Sequence, residues 1–215
     1  MSRETVVTDA LVLTSADVRD DRIVHLLTRD HGRQPLVARR ARKSTRRFGG
    51  DLQPLTHIHA TMTLRPEQDL GLLDSAVARA TFPTLKGELE RFAFASVMVD
   101  VVTHLIPPHG HEPGVFDLLL RALMHLDSAP EADEDVLALF ELRMLRGLGI
   151  LPTWDEVAGL PRDAVEVLEG WLASRWAPLP PNVQGHTLGA LEALIQAVSG
   201  RPLKSRAVLD DLLGR

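Results

Sequence analysis

From residue 57 to residue 64 the chain alternates apolar and polar positions. Ile58, Ala60, Met62 and Leu64 fall on one side, and His57, His59, Thr61 and Thr63 on the other. That period of two predicts a β-strand with one buried face. Residues 10–13 and 23–27 are apolar strand candidates, separated by a polar turn over 17–21. Gly32 divides the second candidate from a third at 35–38, and a turn over 66–71 leads into a weaker fifth at 71–80. Five short strands, with turn signals about every ten residues, predict a small closed barrel.

After Pro83 the period changes. Leu85, Leu89, Phe92, Val99, Val102 and Ile106 recur at near-helical spacing, and a second stripe of Phe94, Met98, Val101 and Leu105 widens the apolar face. A helix apolar on more than one side belongs in the middle of a bundle. Pro107 and Pro108 end it. Further helices are expected over 115–126, 136–148, 164–176, 188–198 and 205–213, with an acidic loop at 127–135 and a Pro-rich one at 178–182. The expected class is α+β: a five-stranded barrel of OB-fold type over 1–82, then an all-α helical domain over 83–215.

Composition narrows the chemistry. With 45% hydrophobic and 25% charged residues, the 215-residue chain reads as an ordinary globular protein. It has no cysteine, which excludes disulfides, thiolate zinc sites, redox dithiols and cysteine nucleophiles. No run of about 18 apolar residues offers a membrane span, and Met1 leads into strand rather than a signal peptide. A cytoplasmic location without membrane contact is expected.

The net charge of −5 conceals an asymmetry. Residues 1–80 carry 13 Lys+Arg against 10 Asp+Glu, whereas 81–215 carry 11 against 19. Within 33–47 stand Arg33, Arg39, Arg40, Arg42, Lys43, Arg46 and Arg47, with no acid among them. Such cations repel one another, and a polyphosphate partner relieves that repulsion while releasing counterions. A basic strand leading into a basic loop over 44–50 suits a barrel that tracks a nucleic-acid backbone; a solvated basic loop is the plainer alternative. Phe48 is the only ring in the segment, so stacking is expected to be minor and electrostatics dominant. Duplex and single strands should both be accepted, with little reading of sequence. Gly49 and Gly50 permit either close approach to a partner or a simple turn. Lys204 and Arg206 would extend the path if the last helix packs near the barrel, although Ser205 between them also reads as a helix cap.

Two other classes are weighed against this. A metalloenzyme would draw on His57 and His59, or on His104, His109 and His111 with Asp100 and Glu112, but these sets lack a convincing third or fourth ligand. Serine-hydrolase motifs and a phosphate-binding Gly-rich loop are absent. No catalytic residue, metal or cofactor is expected. A protein-binding adaptor would use the barrel and the acidic loop while leaving the basic segment unexplained; heparin retention with steep salt dependence separates it from a nucleic-acid binder.

Three blocks carry a family resemblance. The first is Asp21-Arg22-Ile23-Val24 with Leu27-Thr28, Gly32, Val37-Ala38-Arg39, Arg46, Phe48-Gly49-Gly50 and Leu52-Gln53-Pro54. The second is Phe140-Glu141-Leu142-Arg143 with Leu145 and Leu148-Gly149, and the third is Gly200-Arg201-Pro202-Leu203-Lys204-Ser205-Arg206. Together, in this order, they resemble the RecO family of bacterial recombination mediators. The resemblance implies an OB-fold and a helical domain, and binding of single- and double-stranded DNA with annealing of complementary strands. The partners it implies are RecR and the single-stranded-DNA-binding protein, with RecA loaded indirectly, by a protein monomeric on its own and associated with the nucleoid. DNA-contacting cations carry over best to Arg39, Arg40, Arg42, Lys43, Arg46 and Arg47. Many family members have a four-cysteine zinc module after the middle helices. Here residues 151–185 hold no cysteine, so no zinc is expected, and Trp154, Trp171 and Trp176 are read as hydrophobic replacements for it.

Overall fold

In the computed structural model, which describes residues 4–48, 52–64 and 68–214, the N-terminal strands are β1 (Glu4–Val18), β2 (Asp21–Thr28), β3 (Gly32–Ala38), β4 (His57–Leu64) and β5 (Gly71–Ala80). They close into a barrel in the order β1-β2-β3-β5-β4, with β4 returning to pair β1. All pairings are antiparallel except β3 with β5, a seam of two registered pairs, Leu36 with Gly71 and Val37 with Leu72. The order and the single parallel closure are those of the expected OB-type barrel. At the seam a Cβ on Gly71 would lie 2.6 Å from the Leu36 side chain, so glycine lets the strands approach.

The alternation read over β4 holds. Ile58, Ala60 and Met62 point inward and are fully buried beside Ala10, Val12, Val24, Leu26, Leu36, Ala38, Leu73 and Ala76. β1 is much longer than its apolar core predicted, because one strand serves two partners. Residues Ala10 to Val18 pair β2 and Glu4 to Leu11 pair β4, with a bulge between Val12 and Thr14 where the strand bends.

Two short helices, α1 (Thr45–Phe48) and α2 (Pro83–Gly87), precede α3 (Leu89–Leu105), α4 (Val115–Ser128), α5 (Glu134–Gly147), α6 (Arg162–Leu172), α7 (Pro181–Ser199) and α8 (Lys204–Leu213). The single helix expected over 85–106 is broken at Glu88, and α7 begins within the expected Pro-rich loop. Proline serves at the first turn of α7, and Gly200 ends it at φ +70°.

The chain divides into two compact units. One comprises Met1–Thr84 with Ile106–Met124, the other Leu85–Leu105 with His125–Arg215. Residues 106–124, expected in the helical part, therefore group with the barrel. Backbone hydrogen bonds explain why: Arg33 N donates to Gly110 O at 2.9 Å and His109 N to Arg33 O at 2.7 Å. At the start of α4, Phe116 lies edge-on to His57, and Asp117 meets Arg29 at 3.2 Å. In the second unit α3 is buried on several sides, packing against α5, α7 and α8, as its wide apolar face predicted. Arg91, buried there, donates to the carbonyls of Leu126, Ala129 and Pro130 and so caps the end of α4. None of the described helices is long and apolar enough to cross a membrane.

Candidate nucleic-acid interface

Where β3 ends, the chain turns at Arg39–Arg40, enters a 3-10 turn at Ala41–Lys43 and continues into α1. The loop expected over 44–50 is thus helical as far as residue 48; Gly49 and Gly50 lie outside the described residues. Arg40 takes a left-handed conformation, φ +52°, which a side chain with a Cβ adopts at some cost. Its backbone N–H donates to Asp21 Oδ1 at 2.8 Å. The strand registers dictate this meeting: Arg22 faces Ala38 across β2 and β3, so the residue before Arg22 lies level with the chain leaving β3.

Arg39 and Arg40 are exposed, and neither guanidinium has a partner among the described residues. Lys43 is also exposed, with its Nζ 2.6 Å from Asp20 Oδ2. Arg42 belongs to the 3-10 turn and Arg46 to α1, and their side chains lie outside the described ones. Arg47 is built into the corner. Its Nε donates to Ser44 Oγ at 3.0 Å and its NH2 to Arg39 O at 2.6 Å, while the guanidinium lies over the Phe48 ring. One corner of the barrel therefore presents Arg39, Arg40 and Lys43, with Arg47 clasping the turn from within.

Three expected contacts are corrected. Phe48 is 3% exposed and belongs to the barrel core, so its ring fills space rather than offering a base a face to stack on. Arg33 is 8% exposed, and its guanidinium donates to Ile106 O at 2.8 Å. Arg206 is 3% exposed and paired with Glu141 and Glu192. Two of these are cations that find partners inside the fold rather than facing solvent. Lys204 is exposed at the first turn of α8. Ser205 is not the cap of that helix, since its hydroxyl and N–H both donate to Asp100 Oδ2, at 2.6 and 3.0 Å.

Four of the candidate histidines have partners within the fold. His59 Nδ1 is 3.0 Å from Asp9 Oδ1, and His57 Nε2 is 3.8 Å from the same oxygen. Burial pushes the His57 imidazole down, against the pull of Asp9. His104 contacts the carbonyls of Asp100 and Pro202, and His109 contacts Gln34 Oε1. Among the described residues no three His, Asp or Glu side chains gather as a metal site.

Comparison with known proteins bears on this geometry. Residues 1–82 match the family model described as Recombination protein O N terminal, and residues 86–163 the one described as Recombination protein O C terminal. The chain belongs to the RecO family. A DNA repair protein RecO from Anaeromyxobacter dehalogenans (strain 2CP-C) is 36% identical over 200 residues, covering 88% of this chain and 78% of the relative. Those of Myxococcus xanthus (strain DK1622) and Geobacter sulfurreducens (strain ATCC 51573 / DSM 12127 / PCA) are 32% identical over 230 residues and 34% over 238. They cover 92% and 95% of this chain, and 93% and 97% of the relatives. The N-terminal model of the RecO family spans the barrel strands and the basic corner.

Of the three tryptophans expected to pack within 151–185, Trp171 is buried, Trp154 is half-buried and Trp176 is exposed. Trp171 and Trp176 stack with centroids 5.1 Å apart, and Trp171 Nε1 donates to Ala177 O at 2.8 Å. Asp135, buried at the start of α5, accepts from Leu179 N at 2.9 Å and from Gln184 Nε2 at 3.1 Å. Burial pushes its carboxyl up from the ordinary range. Trp154 sits in a 3-10 turn over Trp154–Glu156, which Thr153 and Glu156 cap.

Proposed function

We propose that the chain is a DNA repair and recombination mediator that binds single- and double-stranded DNA at the basic corner of its barrel and anneals complementary strands. With RecR it helps load RecA onto gaps coated by the single-stranded-DNA-binding protein. Arg39, Arg40 and Lys43 make the principal phosphate contacts, with Arg42 and Arg46 on the same turn and helix. The observation that carries the reading is a run of cations without acids, presented at the end of a strand in a closed barrel. Membership of the RecO family supports it, and so does the name DNA repair protein RecO borne by the relatives. The chemistry is electrostatic: two polyanionic strands approach each other only when their repulsion is screened. No bond is made or broken, so the activity needs no nucleotide or metal.

The test is DNA binding over a salt series, followed by fluorescence anisotropy. Neutralising about four phosphates gives a log–log slope near −3 on single strands, steeper on duplex. Changing Arg39, Arg40 and Lys43 together to alanine should flatten the single-strand slope by about 2 and weaken all sequences alike. Annealing should fall in parallel. A folded triple variant that kept wild-type affinity and slope would remove the corner from the DNA path and put the protein adaptor ahead.

A further inference from the structure

The turn between β1 and β2 is acidic, with Asp17, Asp20 and Asp21 close together, and the strand registers bring it beside the basic corner. The three carboxylates do different things there. Asp17 Oδ1 meets Arg22 Nε at 2.7 Å, within the hairpin itself. Asp20 reaches Lys43, at 2.6 Å, with both side chains exposed, 56% and 67%. Asp21 accepts the backbone N–H of Arg40 in its left-handed conformation.

We propose that this hairpin tip tunes the nucleic-acid surface: Asp21 positions Arg39 and Arg40, while Asp20 occupies Lys43 until a phosphate displaces it. The inference rests on the nucleic-acid reading given above. Asp21 acts through the backbone. By fixing Arg40 in an unusual conformation it determines how the chain leaves β3, and hence where two exposed guanidiniums point. Asp20 acts through charge. It places a carboxylate on Lys43 where a phosphate oxygen would otherwise sit, so every binding event must exchange one anion for the other. Affinity is thereby held below what the cation count allows, which keeps a strand releasable during annealing.

The two roles predict opposite signs, which separates them from a general effect of removing negative charge. Anisotropy titrations of the full chain on a fluorescently labelled oligonucleotide of mixed sequence would be run at one moderate salt concentration. Asp20→Asn should tighten binding about two- to fivefold, the scale of an exposed ion pair. In a Lys43→Ala background the same change should have no effect. Asp17→Asn removes an equal charge from the same hairpin and should change affinity less. Asp21→Ala should weaken binding at least about twofold despite losing a negative charge, because the Arg40 N–H loses its acceptor. Asp21→Asn keeps an acceptor oxygen and should bind at least as well as the wild type. If Asp20→Asn tightens binding equally with and without Lys43, the acid acts only as background field and that half of the proposal fails. If both Asp21 variants tighten binding alike, positioning is overturned; an Asp21→Ala chain that does not fold leaves the Asp20–Lys43 cycle to decide the outcome. A wild-type chain with no salt-dependent DNA binding overturns the nucleic-acid reading itself, whereas normal wild-type binding with flat cycles overturns only this inference.

Discussion

The guanidinium of Arg206 on α8 is locked against the fully buried carboxylate of Glu141 on α5, 65 residues earlier in the chain, and Glu192 on α7 lies 3.4 Å from its Nε. Glu141 and Arg206 come from the second and third blocks of the family resemblance, so two separated motifs turn out to be halves of one interaction. Removing the cation leaves the buried Glu141 carboxyl without its hydrogen-bond donor. Arg206→Ala should therefore lower stability by about 3–5 kcal/mol, measured by urea unfolding, with DNA affinity of the remaining folded protein little changed.

The same pair predicts a pH dependence. Burial pushes the Glu141 carboxyl from its ordinary 4.5 to about 7, against the opposing pull of Arg206. A carboxyl raised in the folded state binds its proton more tightly there than when unfolded. Its contribution to stability is full below about 4.5 and is lost as pH rises through about 7. Unfolding free energies measured between these limits should fall more steeply with pH for the wild type than for Glu141→Gln, which cannot titrate. Parallel curves would show that Glu141 is ionised throughout.

Phe48→Ala should act on folding rather than on DNA. The ring is part of the barrel core, so its loss should cost about 3–5 kcal/mol, read as a lowered unfolding midpoint. Phe48→Leu, which refills most of the space, should recover much of that stability and bind DNA as the wild type does. A stacking role would instead show as lost affinity in the leucine variant at unchanged stability.

Gly32→Ala should be poorly tolerated. Gly32 sits at φ +66°, and a Cβ there would lie 2.0 Å from Gly110 O. The backbone conformation alone costs about 1–3 kcal/mol for a residue with a side chain, and the clash drives the 107–111 segment off the barrel. Hydrogen exchange should then accelerate at Arg33 and His109, whose N–H groups make the local bonds.

Chelation should leave the fold intact. The chain has no cysteine, and residues 151–185 are tied to α5 by Leu179 N and Gln184 Nε2 donating to Asp135. EDTA should not shift the unfolding midpoint, and elemental analysis should find no stoichiometric zinc; one equivalent lost together with structure would reverse this.

How much of this was legible in the sequence depends on what each feature rests on. β4 and β5 could be read to the residue because their apolar periodicity and turns are local. The break at Glu88 was not, because the apolar pattern runs through it while Arg91 is drawn aside to cap α4. The basic corner was found from charge alone. Arg33 and Phe48 read as part of it, and Arg206 as a conditional extension of its path, because a cation or a ring looks the same in sequence whether it faces solvent or a buried partner. Only the tertiary fold supplies Ile106 O, the barrel core and Glu141. Arg91 was missed for the same reason, since its partners are backbone carbonyls that carry no sequence signal.

The β3–β5 seam has a consequence for how the barrel moves. A cylinder whose staves are joined by long ladders everywhere but one opens at that one, and here the thin joint is the pair Leu36–Gly71 with Val37–Leu72. β3 runs from this joint directly into Arg39 and Arg40. α1, which follows that corner, packs back against β5 and seats Phe48 in the core, so the cationic turn itself bridges the thin joint and restrains it from opening.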